Sequence, residues 1–439
     1  MQAPDLRELI STRRARVGVL GLGHAGLPLA GVFARAGFQV LGLDTDAEKV
    51  AALSAGRCVH DHLERCVREL LQSGRFEASV DHERLGSLDA LVICVPTPLG
   101  RQREPDLSFV EEAAEAVARS LRPGQLVVLS STTFPGTTRE VVGERLARSG
   151  LRAGEDYLLA YSPEREDPGR TEHASQVVPR VVGGTCELSG ELAHLLFDAA
   201  YETVHRAPSA EVAESAKLLE NVFRAVNIAL VNELKLILDG LGLDVWEVIE
   251  AAATKPYGYM RFDPGPGLGG HCIPIDPWYL SWVARRAGRP TRFVELAGEI
   301  NRAMPEVVVH KTQLALDARG RALSRSRVLV LGLAYKPDVA DTRESPALRL
   351  IERFDELGAH VAYSDPHVPQ PPAPTRAAAL ELQSLDLTPE ILRSQDAVVV
   401  ATDHAAFDWD LIAEHAPLLI DPRGRLRHTL QGDPRYIPA

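Results

Sequence analysis

Short, uninterrupted runs of apolar residues recur along the chain, and stretches with helical spacing of apolar positions separate them. Each run is followed by small polar residues or proline. The runs cover residues 16–20, 38–43, 90–95, 126–129, 157–161, 327–331, 360–364, 396–401 and 418–420. Strands that are apolar on both faces are typical of a parallel sheet with helices on its two sides. The pattern therefore predicts an α/β protein.

A long helix is predicted over residues 209–241, between the two groups of strands. Its apolar positions recur at helical spacing, at Val212, Leu219, Val222, Phe223, Val226, Leu230 and Leu234. Shorter helices are predicted at 245–253 and 292–304. A helix as long as the first is expected to span between domains and to carry part of a subunit interface. Asn227 and Asn232 interrupt its apolar pattern, and we interpret them as a solvated or interhelical polar face.

The order of these elements predicts two Rossmann-like, doubly wound domains joined by a central helical domain. The first domain covers residues 14–205, the central domain 206–305 and the last domain 306–439. A chain of 439 residues is longer than one core ordinarily supports, which agrees with this division.

Charge and cysteine content narrow the possible partners. The net charge of −12 argues against nucleic acid and against an anionic membrane surface. The five cysteines are scattered and form no CxxC pair, so we expect a reducing, cytoplasmic environment and no metal site. No apolar run approaches the length of a membrane span.

Gly21, Gly23 and Gly26 follow the first strand with G-x-G-x-x-G spacing. The first glycine turns the chain, the second admits a pyrophosphate, and the third lets the next helix pack on the strand. The second strand ends at Asp44, whose carboxylate would accept ribose hydroxyls. Because Asp46 adds negative charge and no arginine is adjacent, the pattern favours NAD over NADP. The alternative is a glycine turn in an α/β unit that binds nothing.

Polar side chains follow three other strands of the first domain. They are Thr97, Thr132, Thr133 and Glu164. Since ligands bind beyond the carboxyl ends of parallel strands, we expect these side chains to converge on one cleft. Helix capping by the hydroxyls, and an ion pair between Glu164 and a nearby arginine, are the structural alternatives.

A run rich in glycine and proline, residues 264–277, contains a single cysteine, Cys272. Glycines let the backbone pass close to a bound group, and prolines fix the path of the loop, so this cysteine is placed to react. A free cysteine can also be a small buried hydrophobe, and Asp276 before Pro277 is a good helix start.

Two further pairs of polar residues are candidates for ligand binding. Lys217 and Asn221 are four residues apart and share one face of the long helix. In the last domain the glycine fingerprint is absent, and Lys336 and Arg343 lie in the loop after its first strand. These two charges indicate a phosphate held by side chains, with a surface salt bridge as the alternative for each.

Together these residues resemble the UDP-glucose/GDP-mannose dehydrogenase family over nearly the whole chain. The matching motifs, in order, are Gly21-Leu-Gly-His-Ala-Gly-Leu-Pro, Val95-Pro-Thr-Pro, Ser131-Thr-Thr-Phe-Pro-Gly, Ser162-Pro-Glu-Arg, Lys217-Leu-Leu-Glu-Asn221, Gly267-Leu-Gly-Gly-His-Cys-Ile-Pro-Ile-Asp276 and Lys336-Pro-Asp-Val-Ala-Asp-Thr-Arg-Glu-Ser345. The forms Pro163-Glu-Arg-Glu-Asp-Pro-Gly169 and His271-Cys272 most resemble UDP-N-acetylglucosamine 6-dehydrogenases. Ile275 stands where UDP-glucose enzymes commonly have lysine.

The resemblance implies a four-electron oxidation of the C6 alcohol of a UDP-sugar to a carboxylate, with two NAD per turnover. It assigns the thiohemiacetal and thioester to Cys272, and the activation of the alcohol to Asp276 and Lys217 through water. It assigns activation of the water that hydrolyses the thioester to Glu164, with Thr132 or Thr133 as a positioning partner. It assigns stabilisation of the oxyanion to Lys217 and Asn221. Implied cofactor contacts are Gly21, Gly23, His24, Ala25, Gly26, Asp44, Thr97, Thr133 and Arg343, and implied substrate contacts are Glu164, Arg165, Lys217, Asn221, Arg261, Gly269 and Lys336.

By the same resemblance, Arg261 reaches the substrate of a neighbouring subunit, and a homodimer or larger homo-oligomer forms along the long helix. UDP-N-acetylglucosamine is the predicted substrate, and surface polysaccharide synthesis the predicted context. The same chemistry on UDP-N-acetylmannosamine, UDP-N-acetylgalactosamine or UDP-glucose is an alternative. A non-catalytic regulator that binds nucleotide sugars is a second, and a two-electron dehydrogenase, which would leave Cys272 and Glu164 unexplained, is a third.

Overall fold

Two parallel sheets, each flanked by helices, organise the chain, and this confirms the predicted fold class. The computed structural model describes residues 3–58, 63–100, 103–165, 177–270 and 273–439. By compactness the chain forms two units. One comprises Met1–Glu220 with Trp278–Arg289, and the other Asn221–Pro277 with Pro290–Ala439.

The sheet of the first unit contains eight strands in the described residues, in the order β3-β2-β1-β4-β5-β6-β7-β8. They are β1 Arg16–Leu20, β2 Gln39–Leu43, β3 Phe76–Ser79, β4 Ala90–Ile93, β5 Leu126–Leu129, β6 Leu158–Tyr161, β7 Arg180–Gly184 and β8 Val204–Arg206. Neighbouring strands are parallel except β6 and β7, where Tyr161 pairs with Gly183 in antiparallel fashion. Because of that reversal, β7 begins beyond the carboxyl end of β6, at the edge where ligands bind in such sheets.

Helices cover both faces of this sheet. They are α1 Ala3–Ser11, α2 Gly26–Arg35, α3 Ala47–Ser54, α4 Glu64–Gln72, α5 Ser108–Ser120, α6 Gly143–Leu146 and α7 Glu187–Asp198. Strand β4 is apolar throughout because both of its faces are buried. Ala90 and Val92 pack in one core cluster, whereas Leu91 and Ile93 pack in the cluster on the opposite face. Each fully buried side chain of this size contributes about 1.5–3 kcal/mol.

Four helices lie between the sheets in sequence: α8 Ala210–Gly240, α9 Val245–Ala253, α10 Asp276–Arg286 and α11 Arg292–Asp317. The boundary of the two units falls within α8. Helix α11 continues past its predicted end at residue 304, with Pro305 inside it, and so runs through the predicted boundary at 305/306. The three-domain division stays a prediction. No helix in the described part of the chain has both the length and the apolar character to cross a bilayer.

The sheet of the second unit has the order β10-β9-β11-β12-β13, all parallel. Its strands are β9 Arg327–Leu331, β10 His360–Ser364, β11 Ala397–Val400, β12 Leu419–Ile420 and β13 Tyr436–Ile437, with helices α12 Pro346–Glu356, α13 Arg376–Ala379, α14 Pro389–Arg393 and α15 Trp409–His415. Gly332 turns the chain after β9 at a φ of +82°. The amides of Leu333 and Ala334 then donate to the carboxylate of Asp365, which follows β10, at 2.6 and 2.9 Å.

A buried carboxylate ties α8 to the loop after β5. Glu214, which is fully buried, accepts hydrogen bonds from the amides of Gly136 and Thr138 at 2.6 and 2.8 Å and from the Thr138 hydroxyl at 2.6 Å. Burial raises the pKa of Glu214 to about 7, although these three hydrogen bonds act to lower it. The side chain therefore titrates near neutral pH.

The raised pKa makes stability depend on pH. Between its unfolded value of 4.5 and about 7, the folded state holds a proton that the unfolded chain releases, so stability from Glu214 falls as pH rises through this window. We expect the free energy of unfolding to lose about 2–3 kcal/mol more between pH 5 and 8 in the wild type than in Glu214→Gln. Urea denaturation of both proteins at the two pH values checks this, and parallel pH dependences would contradict it.

Candidate active site

The glycines after β1 occupy three different environments. Gly21 has a φ of +93°, a conformation that favours glycine. A Cβ on Gly26 would stand 1.8 Å from the Gly21 carbonyl oxygen, whereas a Cβ on Gly23 would meet nothing within 4 Å. The turn is therefore tight on its protein side and open at Gly23, where a diphosphate would lie.

The helix that follows the turn starts without a side-chain cap. Ala25 precedes α2 and makes no capping hydrogen bond, and Gly23, His24 and Ala25 are all partly exposed. The first amides of a helix attract anions, and here no capping side chain from Ala25 competes for them. This arrangement fits the diphosphate of a dinucleotide.

Asp44 lies at the end of β2, as predicted, and its carboxylate is already held by the protein. It accepts hydrogen bonds from the amides of Leu22 at 2.9 Å and Asp46 at 3.1 Å, and Lys49 pairs with it at 2.9 Å. Burial acts to raise the pKa of Asp44, but these partners outweigh burial and the pKa lies below its ordinary value. Lys49 was missed by the sequence reasoning, which considered only arginine beside Asp44.

The loops after β4 and β5 are fastened to each other and to α10. The Ser131 hydroxyl accepts from the Val95 amide at 3.0 Å and donates to the Val95 carbonyl at 2.8 Å. The buried hydroxyl of Tyr279, on α10, donates to the Thr97 carbonyl at 2.7 Å. Thr97 itself is nearly buried. The loop that contains it is thus fixed from two sides.

The two adjacent threonines after β5 differ in exposure. Thr132 is partly exposed, whereas Thr133 is completely buried and its hydroxyl has no hydrogen-bond partner in the described residues. Burial of Thr133 does not fit its predicted contact with the cofactor, because a bound molecule could not reach it. Sequence alone left the choice between these threonines open, and exposure favours Thr132.

Glu164, after β6, is paired with an arginine that the sequence reasoning did not identify. The Arg180 side chain, 1% exposed, starts β7, and its Nη1 lies 2.7 Å from Glu164 Oε2. Its other donors reach the hydroxyls of Ser130 at 2.9 Å and Ser162 at 3.0 Å. The Arg180 guanidinium lies 5.1 Å from the ring centre of Phe197 and 5.3 Å from that of Tyr201. The ion-pair alternative for Glu164 is therefore what the structure shows, and it places the carboxylate at the carboxyl edge of the sheet.

The long helix reaches the same loop through its charged residues. Arg165, next to Glu164, pairs with Glu220 of α8 at 2.6 Å. Lys217 precedes Glu220 by three residues and therefore lies on the same face of α8. Lys217 is only 7% exposed, and within the described part of the chain it makes no hydrogen bond or ion pair. An ammonium on a mostly covered side chain, with no counter-charge in the described residues, is a candidate partner for a bound anion.

In the second unit, Asn221 donates a hydrogen bond through Nδ2 to Asp276 Oδ2, and both side chains are buried. Asp276 is also the first residue of α10, as its helix-start interpretation predicted. Cys272 and His271 lie outside the described residues. The structure therefore places Asp276 and Asn221 together, while the role of Cys272 rests on the sequence.

The segment that leads to Cys272 is held by a chain of amide hydrogen bonds. The Gly265 amide donates to Asn232 Oδ1 at 3.0 Å, and Asn232 Nδ2 donates to Asn301 Oδ1 of α11, also at 3.0 Å. Asn232 is therefore interhelical, as interpreted. A Cβ on Gly269 would stand 2.5 Å from Tyr335 Cβ, and the Gly270 amide donates to the Arg343 carbonyl at 2.8 Å. Glycine is required here by close packing against the protein.

The remaining predicted contacts lie in the second unit and carry ion pairs. Arg343, whose carbonyl receives the Gly270 amide, pairs with Asp341 at 2.6 Å. Arg261 pairs with Asp263 at 3.0 Å on an exposed segment. Lys336 lies 5.9 Å from the ring centre of Tyr335. Salt bridges thus account for the two arginines, and their contacts with ligands stay predictions.

Asp338, His367 and His404 offer ligand atoms within 4.8 Å of one another, as a metal site would. Both nitrogens of His404 are engaged, however. Nδ1 accepts the Asp338 amide at 2.9 Å, and Nε2 lies 3.0 Å from the carboxylate of Asp365. These contacts brace the loop after β9, and they leave His404 no lone pair for a metal.

Three family models match the chain in order. They are the NAD binding domain of the UDP-glucose/GDP-mannose dehydrogenase family at residues 15–201, its central domain at 211–303 and its UDP binding domain at 329–428. The open glycine turn, Asp44 and α2 lie in the first of these matches.

Two curated relatives match nearly end to end. A UDP-N-acetyl-D-mannosamine dehydrogenase of Pyrococcus horikoshii is 34% identical over 95% of this chain and 97% of its own. A UDP-N-acetyl-D-glucosamine 6-dehydrogenase of Pseudomonas aeruginosa is 32% identical over 96% and 97%. The solved structure of a UDP-D-ManNAc dehydrogenase from P. horikoshii superposes with a TM-score of 0.84, at 34% identity, over 93% of this chain and 95% of that one. The chain therefore belongs to the UDP-glucose/GDP-mannose dehydrogenase family and is an NAD-dependent nucleotide-sugar dehydrogenase.

Proposed function

We propose that this enzyme oxidises the C6 alcohol of a UDP-N-acetylhexosamine to the carboxylate in two successive steps. The ammonium of Lys217 carries the proposal, because its side chain is mostly covered and makes no hydrogen bond or ion pair in the described residues, and an oxyanion formed at C6 would supply the negative charge. The amide of Asn221, held by Asp276, is a second donor for that oxyanion.

In the first half of the reaction, Asp276 and Lys217 assist removal of the hydroxyl proton through a water molecule. Bound NAD supplies the hydride acceptor, once for the alcohol and once for the thiohemiacetal. Cys272, as its thiolate, adds to the aldehyde and keeps that carbon on the protein. Lys217 and Asn221 stabilise the oxyanion at each addition.

In the second half, water hydrolyses the thioester on Cys272. Glu164 is partly exposed at the carboxyl edge of the first sheet and is available to orient that water. Thr132, the exposed member of its pair, is the proposed positioning partner. Hydrolysis leaves the uronate and the free thiol.

The N-acetyl group of the substrate is supported by both curated relatives, one of which is named for N-acetylmannosamine and the other for N-acetylglucosamine. The sequence forms Pro163–Gly169 and His271-Cys272 favour UDP-N-acetylglucosamine. UDP-N-acetyl-D-mannosamine is the second candidate, because the P. horikoshii relative and its solved structure carry that name.

We also propose that the enzyme is a homodimer, with α8 of one protomer against α8 of its partner. The helix leaves an apolar stripe exposed, at Val212, Leu219, Phe223, Leu230, Leu234 and Ile237, and the exposed Leu241 follows its last residue. Steps of three, four and seven residues keep these side chains on one face. A second copy of the chain presents the same stripe, so a two-fold contact would cover both.

The reaction is tested with purified enzyme, NAD and a panel of UDP-sugars. We expect two NADH per sugar from a UDP-N-acetylhexosamine, and no turnover with Cys272→Ala although NAD still binds. One NADH per sugar would contradict the mechanism. Binding of NAD and a UDP-sugar with no NADH from any member of the panel would support the regulator instead.

Lys217→Met tests the oxyanion role. We expect kcat to fall about 10²–10³-fold without loss of thermal stability, because Lys217 makes no hydrogen bond or ion pair in the described residues that the substitution would break. Lys235→Met is the matched control, since Lys235 is a buried lysine of α8 that pairs with Asp239. It should lower the melting temperature and leave kcat within a few-fold. Unchanged kcat in Lys217→Met would rule the role out.

Leu230→Glu tests the dimer. Leu230 is 50% exposed on the stripe. If the two helices meet there, the substitution buries one carboxylate from each protomer in the interface. We expect light scattering to give a dimer for the wild type and a monomer for Leu230→Glu. Phe109→Glu is the control, because Phe109 is 44% exposed but lies on α5. A wild-type monomer, or an intact dimer in Leu230→Glu, would contradict the proposal.

A further inference from the structure

We infer that Arg180 is a positioning residue for the hydrolytic step, acting through Glu164: it holds that carboxylate ionised and fixed in direction at the carboxyl edge of the first sheet. The inference rests on the proposed function, in which Glu164 orients the water that releases the product. It adds a residue that none of the family motifs quoted above contains.

The first argument is charge. The guanidinium of Arg180 is almost wholly buried, and a buried cation needs a counter-ion. Its hydrogen-bond acceptors in the described residues are Ser130, Ser162, Tyr201 and Glu164, and only Glu164 is an acid that is ionised at neutral pH. An opposite charge at 2.7 Å favours the ionised form of a carboxylate.

Other titratable groups surround the pair. Burial acts to lower the pKa of Arg180, but the charge of Glu164, with smaller contributions from Tyr201 and Cys94, raises the pKa above its ordinary value. On the far side of Glu164, the Arg165 guanidinium is turned to Glu220. Arg180 therefore stays charged at any working pH, and Glu164 is its main counter-ion.

The second argument is direction. Glu164 Oε2 is bound by Arg180, and Oε1 accepts the amide of Arg165 at 2.7 Å. Because both oxygens accept hydrogen bonds, the carboxylate cannot rotate freely. The side chain is 17% exposed, and a water molecule can reach it from that exposed part. The guanidinium also donates hydrogen bonds to the hydroxyls of Ser130 and Ser162, which follow β5 and β6. The position of the carboxylate is therefore fixed relative to the sheet.

The chemical step is balanced without any change of oxidation state. The oxygen of the oriented water bonds to the thioester carbon, and the C–S bond breaks. Its electron pair leaves on the Cys272 sulfur. The proton lost by the water passes to Glu164 and from there to solvent. A carboxylate that is already paired with Arg180 is a weak base. Its main contribution is therefore to hold the water in position to attack the thioester carbon, and to receive the proton after that attack is under way.

Arg180→Met is the principal test, with mass spectrometry of the intact protein during turnover. We expect a burst of two NADH per site, then a steady rate about 10–100-fold below the wild type, with a thioester adduct accumulating on Cys272. We also expect the acid limb of the kcat profile to move to higher pH, because Glu164 loses the charge that keeps it ionised. The double variant with Glu164→Gln should be no slower than Glu164→Gln alone.

Two further variants separate positioning from structure. Arg180→Lys keeps the positive charge but loses the hydrogen bonds that the guanidinium donates to Ser130 and Ser162. We therefore expect slower hydrolysis of the thioester, with the acid limb of the kcat profile at the same pH as in the wild type. Arg122→Met is the matched control, because Arg122 pairs with Asp89 at 2.7 Å at the amino end of the same sheet. It should lower stability and leave both the adduct and the acid limb as in the wild type.

Failure of the inference differs from failure of the proposed function. If the wild type produces no NADH from any UDP-sugar, the proposed function fails. If the wild type turns over but Arg180→Met slows all steps equally, with no adduct and no shift of the acid limb, the inference fails. Should Arg180→Met not fold, a wild-type release rate in Arg180→Lys would overturn it.

Discussion

The ion pair between Arg180 and Glu164 is the contact on which the carboxyl edge of the first sheet depends. A guanidinium that is buried beside the rings of Phe197 and Tyr201 can be tolerated only if its charge and its donors are satisfied. Satisfying them draws together the ends of β5, β6 and β7. The antiparallel turn of β7 matters for this reason, since a parallel β7 would begin at the opposite edge. Topology and electrostatics thus place the carboxylate of Glu164 at this edge.

At the ends of β2 and β10 a carboxylate also holds a neighbouring loop, in these cases by accepting hydrogen bonds from backbone amides. Asp44 accepts the Leu22 amide, and Asp365 accepts the amides of Leu333 and Ala334, so in each sheet an aspartate after the second strand holds the loop after the first. The two units are thereby built on one plan. They differ where the ligand differs: the first keeps an open glycine turn, whereas the loop of the second bears Lys336. Hydrogen bonds between neighbouring strand ends are what make both loops rigid.

Most of the fold and part of the site could be predicted from the sequence. Apolar runs and the glycine spacing are local signals, and they gave β1, α2 and Asp44 directly. Arg180 has no local signal beyond being a charge at the start of an apolar strand, and its role depends on the reversal of β7. Lys49 pairs with Asp44 only because α3 turns back after β2. The burial of Thr133 depends on packing, which no spacing rule distinguishes from the exposure of Thr132.

Helix α8 carries residues with opposite environments. In the first unit Glu214 and Lys217 are buried whereas Leu219 is exposed, and in the second unit Asn232 is buried. Within the first unit α8 holds the loop after β5 through Glu214, and within the second it holds the segment at Gly265 through Asn232. Because Glu214 ties α8 to the loop after β5, the neighbouring Lys217 has little freedom to move toward a counter-charge within the first unit. In the proposed reaction, that restriction keeps the charge of Lys217 available to the substrate.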